Sequence, residues 1–198
     1  MEKLAERMGG SRRAVALRRW ARYHEPMAEY QHISHGFEPV FDERSRVLVL
    51  GSFPSVLSRE NRFYYGNPRN RFWHVMAEVL GEPVPGVDDI AGKQEMLLRH
   101  GVALWDVIES CDVRGSSDAS IRNVVPVDVA RITRVAPVRS VKCNGGTAGR
   151  LYRRWLLPVT GIESEVLPST SPANAAWSLP RLTDCWREAL LPVLGEGW

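Results

Sequence analysis

A chain of 198 residues, 44% hydrophobic and 25% charged, has enough apolar surface for one domain with a core and too little for two. No apolar run approaches the ~20 residues of a membrane span, and the N-terminal stretch has no secretory h-region, so a cytoplasmic protein is expected. Three cysteines without a CxxC pair argue against a disulfide framework and against a zinc or iron–sulfur site; the net charge of +3, with 23 of the 26 basic residues being Arg, permits a nucleic-acid partner without proving one.

Residues 1–37 read as a basic and flexible N-terminal extension, with Arg12, Arg13, Arg18, Arg19 and Arg22 clustered before His32 and His35. Two readings stand: an arm on DNA phosphates, or a frayed end. Residues 38–198 read as the folded domain. RVLVLG (46–51) is a continuous apolar run ending in Gly, the pattern of a buried parallel strand. Phe72, Val75, Met76, Val79 and Leu80 recur at helical spacing, and Gly81 stops that helix. VALWDV (102–107), VRSVKC (138–143) and SEVLPS (164–169) give three further strands, with a helix after the Asn144–Gly146 turn and a closing helix over about 178–194. Strands alternating with helices predict an α/β fold, three layers α/β/α around a mostly parallel four-stranded sheet.

Three polar, Gly- and Pro-containing motifs directly follow strands: GSFPS (51–55), Asp106 onward, and PSTSPANA (168–175). In a parallel sheet all three fall at the C-terminal strand edge, where ligands bind. Each alone is an ordinary turn; together they outline a cleft.

GSFPSVLSRENRFYYGNPRNRFWHV (51–75), GVALWDVIESCDVRGSSDASIRNVVP (101–126) and LPSTSPANA (167–175) resemble, in this order, the motifs of the uracil-DNA glycosylase superfamily, and most of all its hypoxanthine-DNA (deoxyinosine) glycosylase branch. The NRFW core (70–73) also resembles the mismatch-specific uracil-DNA glycosylases. The resemblance spans roughly 38–190 and implies a three-layer fold and a monofunctional repair enzyme. Such an enzyme flips a deaminated base from DNA, hydrolyses its glycosidic bond and leaves an abasic site, with no cofactor or metal and as a monomer. Hypoxanthine is the expected base, with uracil as the alternative within the fold. A damaged-DNA binding module that has lost catalysis is the alternative from another functional class.

The resemblance also implies roles. Tyr65, with Tyr64 as alternate, stacks the base, unless FYY (63–65) simply packs the core. Asp106 reads the base edge, where many uracil-specific relatives have Asn, or caps a turn. Ser52 and Phe53 hold the leaving base through backbone N–H groups. Motif 1 of uracil glycosylases often has Asp or Asn for water; here Ser52-Phe53-Pro54 has neither, and the catalytic role moves to Asn70, whose competing reading is a helix N-cap. The branch usually has His where this chain has Asn67, and His74 reads as an exposed helical residue instead. Ser169, Thr170 and Ser171 donate to flanking phosphates, Pro172 belongs to the same DNA-binding segment, and Ala173, Asn174 and Ala175 are a small wedge for the vacated stack. A lyase would need an amine, and Lys142 is the one lysine near a strand end.

Overall fold

The computed structural model describes residues 29–114 and 120–195, so the arginine cluster of the N-terminal extension lies outside the described residues. Seven strands and seven helices follow in chain order among them. β1 (Gln31–Ser34) precedes β2 (Val47–Gly51); α1 (Val56–Glu60), α2 (Phe72–Leu80) and α3 (Ile90–Arg99) lead to β3 (Val102–Asp106) and β4 (Ile108–Val113). After β5 (Arg122–Pro126) come α4 (Ala130–Thr133), β6 (Ser140–Asn144), α5 (Gly146–Trp155), α6 (Leu157–Thr160), β7 (Ser164–Leu167) and α7 (Leu179–Leu194).

The four strands expected from the sequence form one parallel sheet in the order β3-β2-β6-β7. Every residue of β2 and β3 is buried, as continuous apolar runs covered on both faces must be. Parallel crossovers are right-handed. The step from β2 to β3 runs one way along the sheet and the step from β6 to β7 the other, so their connecting helices cover opposite faces. The α2 helix packs against α7 on one side, and α5 packs against β6 and β7 on the other. Phe72, Trp186 and Leu190, none measurably exposed, fill the first of these layers. Gly81 ends α2 at φ 69°, a left-handed cap that favours glycine. No described helix is long and apolar enough to cross a membrane.

A second sheet, β1-β4-β5, is antiparallel and was not expected from the sequence. β1 lies within residues 1–37, the segment read as an extension, and pairs along β4 from Gln31↔Val113 to Ser34↔Ser110. Its residues are mostly exposed, so it lacks the apolar alternation by which strands are recognised. One residue, Val107, separates β3 from β4, and it is fully buried.

Candidate active site

Because the chain leaves β2 and β6 toward opposite faces, a crevice opens between their C-terminal ends. Gly51 and Asn144 end these neighbouring strands, Gly51 pairs in register with Asp106 of β3, and all three line one cavity of about 240 Å3. That is smaller than the roughly 300–1,000 Å3 of drug-sized sites, room for a base rather than an oligonucleotide. Ser52, Phe53, Tyr64, Tyr65, Asn70, Ser169 and Ser171 complete much of its wall. The structure therefore brings together the expected Asn70, Tyr65, Asp106, Phe53 and Ser52 with two of the motif-2 serines.

Asp106 is 5% exposed, and its Oδ2 is 3.0 Å from Nε2 of His35, which is itself 1% exposed. His35 Nδ1 is 2.9 Å from the Phe37 carbonyl oxygen. Its ring lies 4.2 Å from that of Phe37 and 5.7 Å from that of Tyr64. The β1 strand delivers this histidine, and the His35 N–H closes the approach by donating to the Glu109 carbonyl at 2.7 Å. Asp106 Oδ1 meets no donor among the described residues and lies over Gly51, where an added Cβ would stand 2.0 Å from it. Glycine ends β2 because the carboxylate takes the place of its side chain.

Tyr65 is held at φ 53°, a left-handed conformation costing a non-glycine residue ~1–2 kcal/mol. Such strain collects at ligand sites. One face of its ring stacks on Phe72, centroids 3.9 Å apart. Burial, then the nearby Asp106 carboxyl, push its hydroxyl well above the usual tyrosine range, against a smaller opposing pull from Asn144. Tyr64, the alternate stacker, is 2% exposed and donates its hydroxyl to the Glu38 carbonyl at 3.0 Å. Phe53 lies under the Arg59 guanidinium, which also donates to the Pro54 carbonyl at 2.7 Å. The backbone N–H groups of Ser52 and Phe53 donate to nothing among the described residues.

The Asn70 Oδ1 accepts from the Phe72 N–H at 3.0 Å, which caps the start of α2 and fixes which way the amide points. Thr170 Oγ1 donates to the same oxygen at 2.9 Å. Both lone pairs are thus used, and Nδ2 is the group Asn70 has left for the cavity. Asn70 stands one residue before the N-cap, Arg71: its oxygen holds the start of α2, and the residue lines the cavity. Asn67 makes the preceding turn, its Oδ1 accepting from the Arg69 N–H at 2.9 Å. His74 is exposed.

Motif 2 requires corrections. Thr170 has no measurable exposure and cannot reach a phosphate; its hydroxyl is used by Asn70 and Asn144 instead. Asn174 turns inward, Nδ2 donating to the Ser169 carbonyl at 2.9 Å, and so does not project as a wedge. Pro172 and Ala173 are exposed, and Ser169 and Ser171 face the cavity. Lys142 is tied to Glu165 at 2.6 Å and is not part of the cavity wall.

Three residues escaped the sequence reading. Asn144, read as a turn, is a hub: its Oδ1 accepts from the Thr170 N–H, and its Nδ2 donates to the Tyr65 and Thr170 hydroxyls, each at 2.9 Å. Its position at the end of a buried parallel strand, like that of Asp106, was the available signal. Arg71 spreads its guanidinium over the carbonyls of Thr170, Ser171, Asn174 and Trp177, clamping the motif-2 loop to the start of α2. His35 had no sequence signal.

A profile of the uracil DNA glycosylase superfamily matches residues 38–194, nearly the whole described domain. The chain belongs to the uracil DNA glycosylase superfamily. Within it, a hypoxanthine DNA glycosylase of Methanosarcina acetivorans is 35% identical over 151 residues, 75% of this chain and 93% of that protein. Another, of Methanosarcina barkeri, is 32% identical over 155 residues, 78% of this chain and 96% of that protein. The solution NMR structure of a uracil DNA glycosylase candidate from M. acetivorans superposes with a TM-score of 0.68 at 34% identity, covering 84% of this chain and all of the other. The superfamily's three-layer architecture is the one described above.

Proposed function

We propose that the protein is a monofunctional DNA glycosylase that removes deaminated bases, with hypoxanthine preferred and uracil a secondary substrate. It works as a cytoplasmic monomer on DNA and draws its nucleophile from water. The observation that carries this reading is the convergence of an unpartnered acceptor, Asp106 Oδ1, with two unpartnered backbone donors, at Ser52 and Phe53, in one base-sized cavity. Hypoxanthine offers the complement: an N1–H to donate and an O6 to accept. The family resemblance and the names of the two archaeal relatives agree with it.

In this reading Tyr65 supplies an aromatic wall for the flipped base. The C1′–N9 bond breaks with its electron pair passing to the base. The Ser52 and Phe53 N–H groups face the charge that develops there. Water adds to C1′, and the proton it sheds restores the neutral base. Asn70 holds that water, or the departing base, through Nδ2 as a donor, so it orients rather than deprotonates. Ser169 and Ser171 contact the sugar and phosphates beside the flipped nucleotide, and the exposed Pro172 and Ala173 meet the duplex.

The test is a strand-scission assay with alkali on matched duplexes containing one inosine, one uracil or no lesion. Release from inosine above uracil is expected, reduced about 100- to 1,000-fold in Asn70→Ala. Release from uracil alone refutes the hypoxanthine preference. A second reading, a damage binder without catalysis, is favoured by one observation: the Asn70 carbonyl oxygen is fully used and cannot accept from water. Tight binding to the inosine duplex without base release selects it.

A further inference from the structure

The pair formed by His35 and Asp106 has a proton inventory that can be worked out from geometry. The Phe37 carbonyl oxygen only accepts, so His35 Nδ1, 2.9 Å away, carries a hydrogen. The 3.0 Å contact between His35 Nε2 and Asp106 Oδ2 then needs one proton between the two atoms. It sits on Nε2, giving imidazolium and carboxylate, or on Oδ2, giving two neutral groups. Both arrangements are net neutral as a pair, which suits a site with both side chains nearly fully buried. Both also leave Oδ1, the oxygen over Gly51, without a proton.

We propose that His35 is the specificity-determining residue of the cavity: by holding the shared proton at Oδ2 it makes Oδ1 an obligate acceptor, so the cavity takes bases with an N–H at the edge it reads. This deepens the glycosylase reading and rests on it. Deamination makes the very change such an oxygen detects. Adenine presents a lone pair at N1 and hypoxanthine an N1–H; cytosine presents a lone pair at N3 and uracil an N3–H. Against Oδ1 the parent base places lone pair on lone pair in a buried site, and the deaminated base makes a hydrogen bond. The pair's neutrality serves the reaction too, because a lone carboxylate would repel the base as it departs with negative charge.

The titratable neighbours do not supply a substitute for His35. Tyr64 and Tyr65 face Asp106 from the loop before α2, and both are held protonated by burial. Glu38 and Glu109 act on Tyr64 from farther out. With His35 replaced by leucine, no cation or donor remains at Oδ2 among the described residues. Nothing then orients the carboxyl, and its acceptor is no longer fixed at Oδ1. Glutamine at this position still offers Oδ2 an N–H and keeps Oδ1 an acceptor.

The experiment measures binding of wild type, His35→Leu and His35→Gln to duplexes carrying 2′-fluoro-deoxyinosine or 2′-fluoro-deoxyadenosine opposite thymine, which resist cleavage, by fluorescence anisotropy. Duplex stability is common to the three proteins, so the inosine-to-adenine ratio of Kd is compared between them. Wild type is expected to favour inosine by about 10-fold or more, His35→Gln to keep most of that preference, and His35→Leu to bring the ratio toward one. A His35→Leu protein that melts cooperatively and keeps the wild-type ratio overturns the proposal, as does a wild type without preference. Absence of base release from cleavable inosine DNA, with the binding ratios as expected, sinks the glycosylase reading alone.

Discussion

The two sheets contrast in burial and in role. The parallel sheet is anchored by β2 and β3, buried along their whole length, with only its edge strand β7 largely exposed, and it contributes Gly51, Asp106 and Asn144 from strand ends. The antiparallel sheet is half exposed, with bulged pairing between β4 and β5, and its first strand leads directly into His35. On the proposed reading, one sheet sets where Asp106 stands and the other sets what its carboxyl can do. Stability is therefore expected to concentrate in the first, and under the proposal part of the selectivity comes from the second.

Four measurements bear on that contrast, beginning with the largest effect. Leu48→Ala, in the middle of β2, should cost about 2–5 kcal/mol in denaturant unfolding, the range for a buried leucine whose cavity cannot collapse. A smaller loss than that would mean the parallel sheet is not the stable part. Next, Arg71→Lys removes a planar fork that serves four carbonyls; about 1.5–3 kcal/mol is expected, together with a higher KM as the motif-2 loop loosens. An unchanged KM would separate the clamp from substrate binding.

Alkaline titration sharpens the comparison where the sheets meet. Tyr64 and Tyr65 have folded values raised above the ordinary 10.0, by burial first. Their contribution is complete below pH 10 and is lost as pH rises beyond it, because the unfolded phenols ionise there and the folded ones do not. Each tyrosine adds a slope of about 1.4 kcal/mol per pH unit, and Tyr64→Phe should remove one share of it. An identical slope in that variant would locate the effect elsewhere. The smallest effect is expected from Ile33→Ala in β1, under about 1 kcal/mol at a partly exposed position. If it matches Leu48→Ala, the division of labour fails.

How much of this was legible in the sequence follows the same division. All four parallel strands, the α2 helix with its Gly81 stop and the closing helix could be read: the fully buried β2 and β3 leave unbroken apolar runs, and α2 leaves apolar residues at helical spacing. The cavity was legible too, since polar motifs at strand ends must share an edge. What could not be read depends on tertiary contact. His35 stands 71 positions from Asp106, directly after a strand with no apolar alternation. The hydroxyl of Thr170 looked suited to phosphate, yet burial turned it to Asn70, a pairing across 100 positions. Arg71 was visible within NRFW, but a guanidinium gathering carbonyls leaves no pattern in residue types.

Val107 joins the two sheets. Its N–H donates to the Gly51 carbonyl at 3.0 Å, and its own carbonyl accepts from Val127 at 3.0 Å. The wall and the floor of the cavity are thus one ribbon bent at a single clamped joint. Any outward swing of the wall that lengthens the His35–Asp106 contact by more than about 0.5 Å ends that hydrogen bond. An opening along the other rim, between Phe53 and the Ser169–Ser171 loop, would leave that contact intact.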